Sequence, residues 1–122
     1  MPAVAIQYPG FGPQHPPRLR AIATARPGED WRVVAMEMFA KDSDYEWRPI
    51  TGTFATFERR TVMDCSSADG RSRPRALRQA VWGALDQIGP DVLVVNGWGH
   101  KESRMSMSWC RRHKVPMVML GD

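Results

Sequence analysis

Gly89-Pro90-Asp91-Val92-Leu93-Val94-Val95-Asn96-Gly97-Trp98-Gly99-His100 contains a helix stop, a strand and a loop in succession. Gly followed by Pro is the order in which helices end. Asp91 to Val95 is β-branched and apolar and too short for a helix, so it predicts a strand buried on both faces. Asn96 to Gly99 is a turn. Upstream, Ala76, Leu77, Ala80, Val81, Ala84, Leu85 and Ile88 recur every three to four residues and predict an amphipathic helix over 75–88. Downstream, Met105, Trp109 and Cys110 share one stripe of a second helix over 100–113, and Pro116 to Leu120 forms a last strand. Strands separated by helices run parallel, because a parallel pair needs a crossover of about a dozen residues or more.

The first half of the chain extends the pattern. Val4 to Tyr8 reads as a strand stopped by Pro9-Gly10, and Pro9 to Pro17, with four prolines and two glycines, as a loop. A helix is expected from Pro16 to Ala25 with Leu19, Ile22 and Ala23 inward, ending before Pro27-Gly28. Trp31 to Phe39 is a second strand, near-continuously apolar through Val33, Val34, Met36 and Met38. Lys41 to Thr53 is polar and rich in turn formers, with Tyr45 and Trp47 set into it. Phe57 to Met63 carries Arg59 and Arg60 and reads as a weaker strand near an edge, followed by a polar connection from Cys65 to Arg73. The order β-α-β-β-α-β-α-β predicts an α/β fold: a Rossmann-like parallel sheet of order 3-2-1-4-5 with helices on both faces. No helix follows the last strand in this sequence. Bare apolar edges invite pairing, so a dimer mate or partner chain is expected at the open edge after Leu120, unless the chain is the front half of something longer.

Composition narrows the function classes. With 122 residues, 43% hydrophobic and 25% charged, the chain has the makeup of one globular domain. No apolar run reaches the ~18 residues that span a bilayer. Pro9 to Pro17 interrupt any signal-peptide pattern, so a cytoplasmic protein is expected. Cys65 and Cys110 form neither a disulfide framework nor a zinc motif, and three scattered histidines lack metal-ligand spacing. No metal is expected. Net charge is +4, and 14 of the 17 basic residues are Arg. Arg71, Arg73, Arg75, Arg78, Arg104, Arg111, Arg112 and Lys114 read first as solvated helix faces. Nucleic acid is disfavoured, because no aromatic-interleaved platform accompanies them. A further reading sets the basic surface against anionic headgroups at the inner membrane face, where each cation contributes roughly 1 kcal/mol.

In open α/β sheets ligands bind beyond the carboxyl ends of the strands, where the strand order reverses. That point lies between the first and fourth strands and is lined by Pro9–His15 and Asn96–His100. Gly10-Phe-Gly12-Pro-Gln-His15 is no dinucleotide fingerprint, since the third glycine position is His15. In the second loop, Gly97 and Gly99 let backbone approach a ligand, Trp98 offers a stacking face, and the helix start favours an anion. The competing reading is a tight turn with a packed Trp. His15 and His100 are candidate acid–base groups, against loop histidines that merely cap or face solvent. Arg18 is placed to reach a phosphate or carboxylate, against an ordinary surface charge. Cys110 and His113, three apart on a helix, lack a third orienting group and read as a core thiol and a surface imidazole. Glu37, in an apolar strand, reads as half of a structural ion pair.

These residues resemble a family. Gly12-Pro13-Gln14-His15-Pro16-Pro17-Arg18-Leu19, the strand ending Val33-Val34-Ala35-Met36-Glu37, the Asp44-Tyr45-Glu46-Trp47 insertion and Pro90-Asp91-Val92-Leu93-Val94-Val95-Asn96-Gly97-Trp98 together resemble the N-terminal half of a family 4 glycosyltransferase, a retaining enzyme of GT-B architecture. The resemblance covers nearly the whole chain. It implies an N-terminal domain that holds a sugar or lipid-linked acceptor and a C-terminal domain, outside these residues, that holds most of a nucleotide-sugar donor. It places Gly10, Gly12 and His15 toward the donor or the transferred sugar, and Asn96, Gly97, Trp98 and His100 on the acceptor side. The 122 residues alone are then expected to be inactive as a transferase. The alternatives are a non-catalytic α/β module binding a nucleotide or phosphate through the same loops and, behind it, a basic nucleic-acid binder.

Overall fold

A computed structural model describes residues 2–9, 17, 19, 21, 31–41, 57–97 and 99–120. Five strands are present: β1 (Ala3–Tyr8), β2 (Arg32–Lys41), β3 (Glu58–Ser66), β4 (Val92–Asn96) and β5 (Met117–Leu120). Among the described residues three helices can be bounded: α1 (Ser67–Arg71), α2 (Pro74–Ile88) and α3 (Lys101–His113). The sheet is parallel throughout, in the order β3-β2-β1-β4-β5. This is the expected Rossmann-like topology, with the strand order reversing between β1 and β4.

Alternation along the strands sorts the apolar residues onto two faces. Ala5, Val34, Met36, Met38, Leu93 and Val95 face α2 and α3, where Leu77, Val81, Leu85, Ile88, Trp109 and Cys110 complete the larger core. Each fully buried Leu or Val there contributes about 1.5–3 kcal/mol. Ile6, Tyr8, Val33 and Ala35 form a second cluster on the opposite face with Leu19 and Phe57, and Val4 and Val94 pack against it. Pro17, Leu19 and Ala21 are helical, so helical residues meet both faces.

At the amino end of the sheet Asp91 grips the central strand twice. Its Oδ2 accepts from the Ala3 N–H at 2.7 Å, and its own N–H donates to the Ala3 carbonyl at 2.8 Å. Gly89 ends α2 in the left-handed region at φ 59°, and Lys114, at φ 56°, ends α3 the same way. On β5, Val118 and Leu120 are 48% and 46% exposed. Val118 is the register partner of Val94, which places both residues on the face of the smaller cluster.

Two expectations are corrected. Strand β3 runs to Ser66 instead of Met63, continuing its pairing with β2 past a register shift between Phe39 and Lys41. The expected polar connection then becomes helix α1, whose first turn is capped by Ser66 Oγ accepting from the Asp69 N–H at 3.2 Å. The helix expected over 16–25 and the insertion over 41–53 lie largely outside the described residues.

Candidate functional site at the carboxyl end of the sheet

The carboxyl ends of β1 and β4 lie side by side, with Gln7 in register with Val95. Strand β4 leaves the sheet through Gly97 at φ 75°, a conformation that a Cβ strains. The Gly97 N–H still donates to the Leu120 carbonyl at 3.0 Å, so the turn is tied to the end of β5. Gly99 differs: its φ is ordinary, and a Cβ built on it meets nothing within 4 Å among the described residues. Its lack of a side chain has no packing cause there.

His100 occupies the N-cap of α3 with extended backbone (φ −105°, ψ 151°), and its carbonyl accepts from the Arg104 N–H at 3.3 Å. Its imidazole makes no capping hydrogen bond. The half-buried ring is therefore not spent on the helix end, as the capping reading required. Gly10, Gly12, His15, Arg18 and Trp98 lie outside the described residues, and for Asn96 only the backbone, paired with Leu120, is described.

A buried polar layer supports this loop. Gln7, 2% exposed, accepts from Ser106 Oγ at 2.5 Å through Oε1 and donates from Nε2 to Ser103 Oγ at 3.4 Å. Both serines belong to α3, so the layer sets the height of that helix over the end of β1. Beside it, Glu102 is 1% exposed and accepts two hydrogen bonds from Arg71, at 3.1 and 2.8 Å. Sequence reasoning missed this layer. Its only local signals are one amide in an otherwise apolar strand and the polar positions 102, 103 and 106 on the inner face of α3.

The remaining candidates resolve as structure. Glu37, in the register row Tyr8–Glu37–Thr61, accepts from Arg59 Nη2 at 3.0 Å and from Thr61 Oγ1 at 2.7 Å. Cys110 is 3% exposed, and burial pushes its thiol up to about 11. It carries almost no thiolate at neutral pH and is no nucleophile. His113 is exposed; its ring lies 4.4 Å from that of Trp109, and its Nε2 is 3.9 Å from Asp86 Oδ1. Among the described residues no three His, Cys, Asp or Glu side chains gather as a metal site. No described helix is long and apolar enough to cross a membrane.

Compared with models of known protein families and with curated proteins, the chain matches none.

Proposed function

We propose that the chain is the acceptor-side half of a nucleotide-sugar-dependent, retaining glycosyltransferase. The observation that carries this reading is the Gly97–His100 turn. It sits where an α/β sheet receives ligands, with one glycine demanded by backbone conformation, a second whose Cβ would meet nothing among the described residues, and an imidazole free of the helix cap. The resemblance supplies the chemistry. The bond from the anomeric carbon to the nucleotide oxygen breaks, the nucleoside phosphate leaves with the electron pair, and a bond to the acceptor oxygen forms as the acceptor hydroxyl gives its proton to the departing phosphate. Asn96, Gly97, Trp98 and His100 contact the acceptor. Gly10, Gly12 and His15 face the transferred sugar, and Arg18 pairs with a phosphate or carboxylate. A second domain outside these residues supplies most of the donor contacts, and the protein works in the cytoplasm or at the inner membrane face.

Binding of the chain to a glycan array tests the proposal. Saturable binding to a defined glycan, weakened by His100→Ala and unaccompanied by sugar transfer, supports it. Saturable binding of nucleotides with no glycan binding overturns it and favours a non-catalytic nucleotide-binding module.

A further inference from the structure

The outer surface of the helical layer carries a feature that the carboxyl-end loop does not explain. Helices α2 and α3 pack together, and their outer surface carries two adjoining hollows, one of about 420 Å³ on α2 and one of about 210 Å³ between α2 and α3. The larger is lined by Arg75, Arg78, Gln79 and Trp82. The smaller shares Arg78 and Trp82 and adds Lys101, Arg104, Met105 and Ser108. We propose that this trough binds an oligophosphate group, the diphosphate or triphosphate of a soluble ligand.

Three observations carry the inference. Among the described residues, none of Arg75, Arg78, Lys101 and Arg104 is paired with a carboxylate. The nearby acids are already committed, Glu102 to Arg71 and Asp69 to Arg73. Secondly, two of the cations stand where helix electrostatics disfavours them. Arg75 lies in the first turn of α2, which holds no acidic residue, and Lys101 opens α3. Positive side chains at a helix N-terminus oppose the macrodipole, and a bound anion relieves both terms together. Thirdly, two of the groups are held in place. The Arg78 guanidinium lies 4.5 Å over the Trp82 ring, and that ring is fixed by Trp82 Nε1 donating to the Met105 carbonyl at 3.0 Å. The Lys101 ammonium donates to the Arg71 carbonyl at 3.0 Å and keeps two donors free.

The trough is concave, and the large apolar side chains exposed among the described residues, Val118 and Leu120, lie on β5 away from it. A membrane-docking surface presents exposed apolar side chains beside its cations, whereas Trp82 and Met105 here are half-buried and the Trp82 ring is covered by Arg78. The aromatic face is shared with Arg78 rather than laid open to successive bases, which favours a compact anion over a nucleic-acid strand.

Calorimetric titration of the chain with sodium tripolyphosphate tests the assignment. Two double variants each remove two charges: Arg78→Ala/Arg104→Ala inside the trough, and Arg111→Ala/Arg112→Ala at the far end of α3. All four side chains are exposed, and circular dichroism checks that both variants fold. Saturable binding that weakens about tenfold or more in the trough variant, but little in the control, is expected from loss of charge-assisted contacts. Equal weakening in both variants, or no saturation, overturns the proposal. Tighter binding of phosphatidylglycerol vesicles or of an oligothymidylate through the same arginines also overturns it, in favour of a lipid surface or a nucleic acid respectively.

Discussion

Arg71 and Glu102 form a two-pronged ion pair, Nε to Oε1 at 3.1 Å and Nη2 to Oε2 at 2.8 Å, joining the end of helix α1 to the first turn of α3. Glu102 is 1% exposed, so its charge depends on this one guanidinium for compensation. Breaking a buried pair from one side leaves the other charge stranded and costs roughly 3–5 kcal/mol. Arg71→Ala should therefore lower the urea midpoint steeply. Arg71→Ala/Glu102→Ala should recover part of the loss, and a double variant no better than the single one would refute the coupling.

The two glycines of the candidate loop should respond differently to alanine. Gly97→Ala forces a Cβ into the left-handed region and should cost roughly 1–2 kcal/mol. Gly99→Ala meets nothing among the described residues and should leave the thermal midpoint almost unchanged while weakening glycan binding. Equal effects of both changes on stability would remove the distinction.

The two thiols should label at well-separated rates. Cys65 is half-buried, whereas Cys110 is buried with its thiol raised to about 11. A maleimide in native buffer should modify Cys65 first and reach Cys110 only on unfolding; mass spectrometry of the labelled peptides reads the order directly.

Acid should weaken the link between β2 and β3. The hydrogen bond from Arg32, at 2.8 Å, holds the Glu58 carboxyl below its ordinary range, with burial opposing the shift. A depressed carboxyl contributes stability that is complete above its unfolded value, ~4.3, and fades as pH falls through the lower folded value. Both side chains are substantially exposed, so the contribution is about 0.2–1 kcal/mol. The gap in urea midpoint between the native chain and Glu58→Gln should be present at neutral pH and close in acid. A gap that persists once the Glu58 carboxyl of the native chain is protonated would assign the effect elsewhere.

Helix α2 was legible because Leu77, Val81, Leu85 and Ile88 repeat at helical spacing and Gly89-Pro90 closes the run. Helix α1 was not, since Ser67-Ala68-Asp69-Gly70-Arg71 has no apolar period; its signal is the cap from Ser66 to Asp69. The extra length of β3 depends on pairing with β2 across an irregularity, which no local pattern encodes. At the site, the turn at Gly97 was readable from composition. The Gln7–Ser103–Ser106 layer was not, because Gln7 lies 96 and 99 residues from the two serines and meets them only once the sheet exists.

The strand at the centre of the sheet is also the first to be synthesised. Val4 pairs with Val92 on one side, and the Ala3–Asp91 grip that sets this pairing spans 88 residues. At a synthesis rate of roughly 5–20 residues per second, β1 leaves the ribosome about 4–18 s before β4 can reach it. Throughout that interval its hydrogen-bonding edge is unsatisfied, even after β2 has docked on the other side. Silent codon changes that slow translation between residues 41 and 91 should lower the soluble yield without altering the folded product.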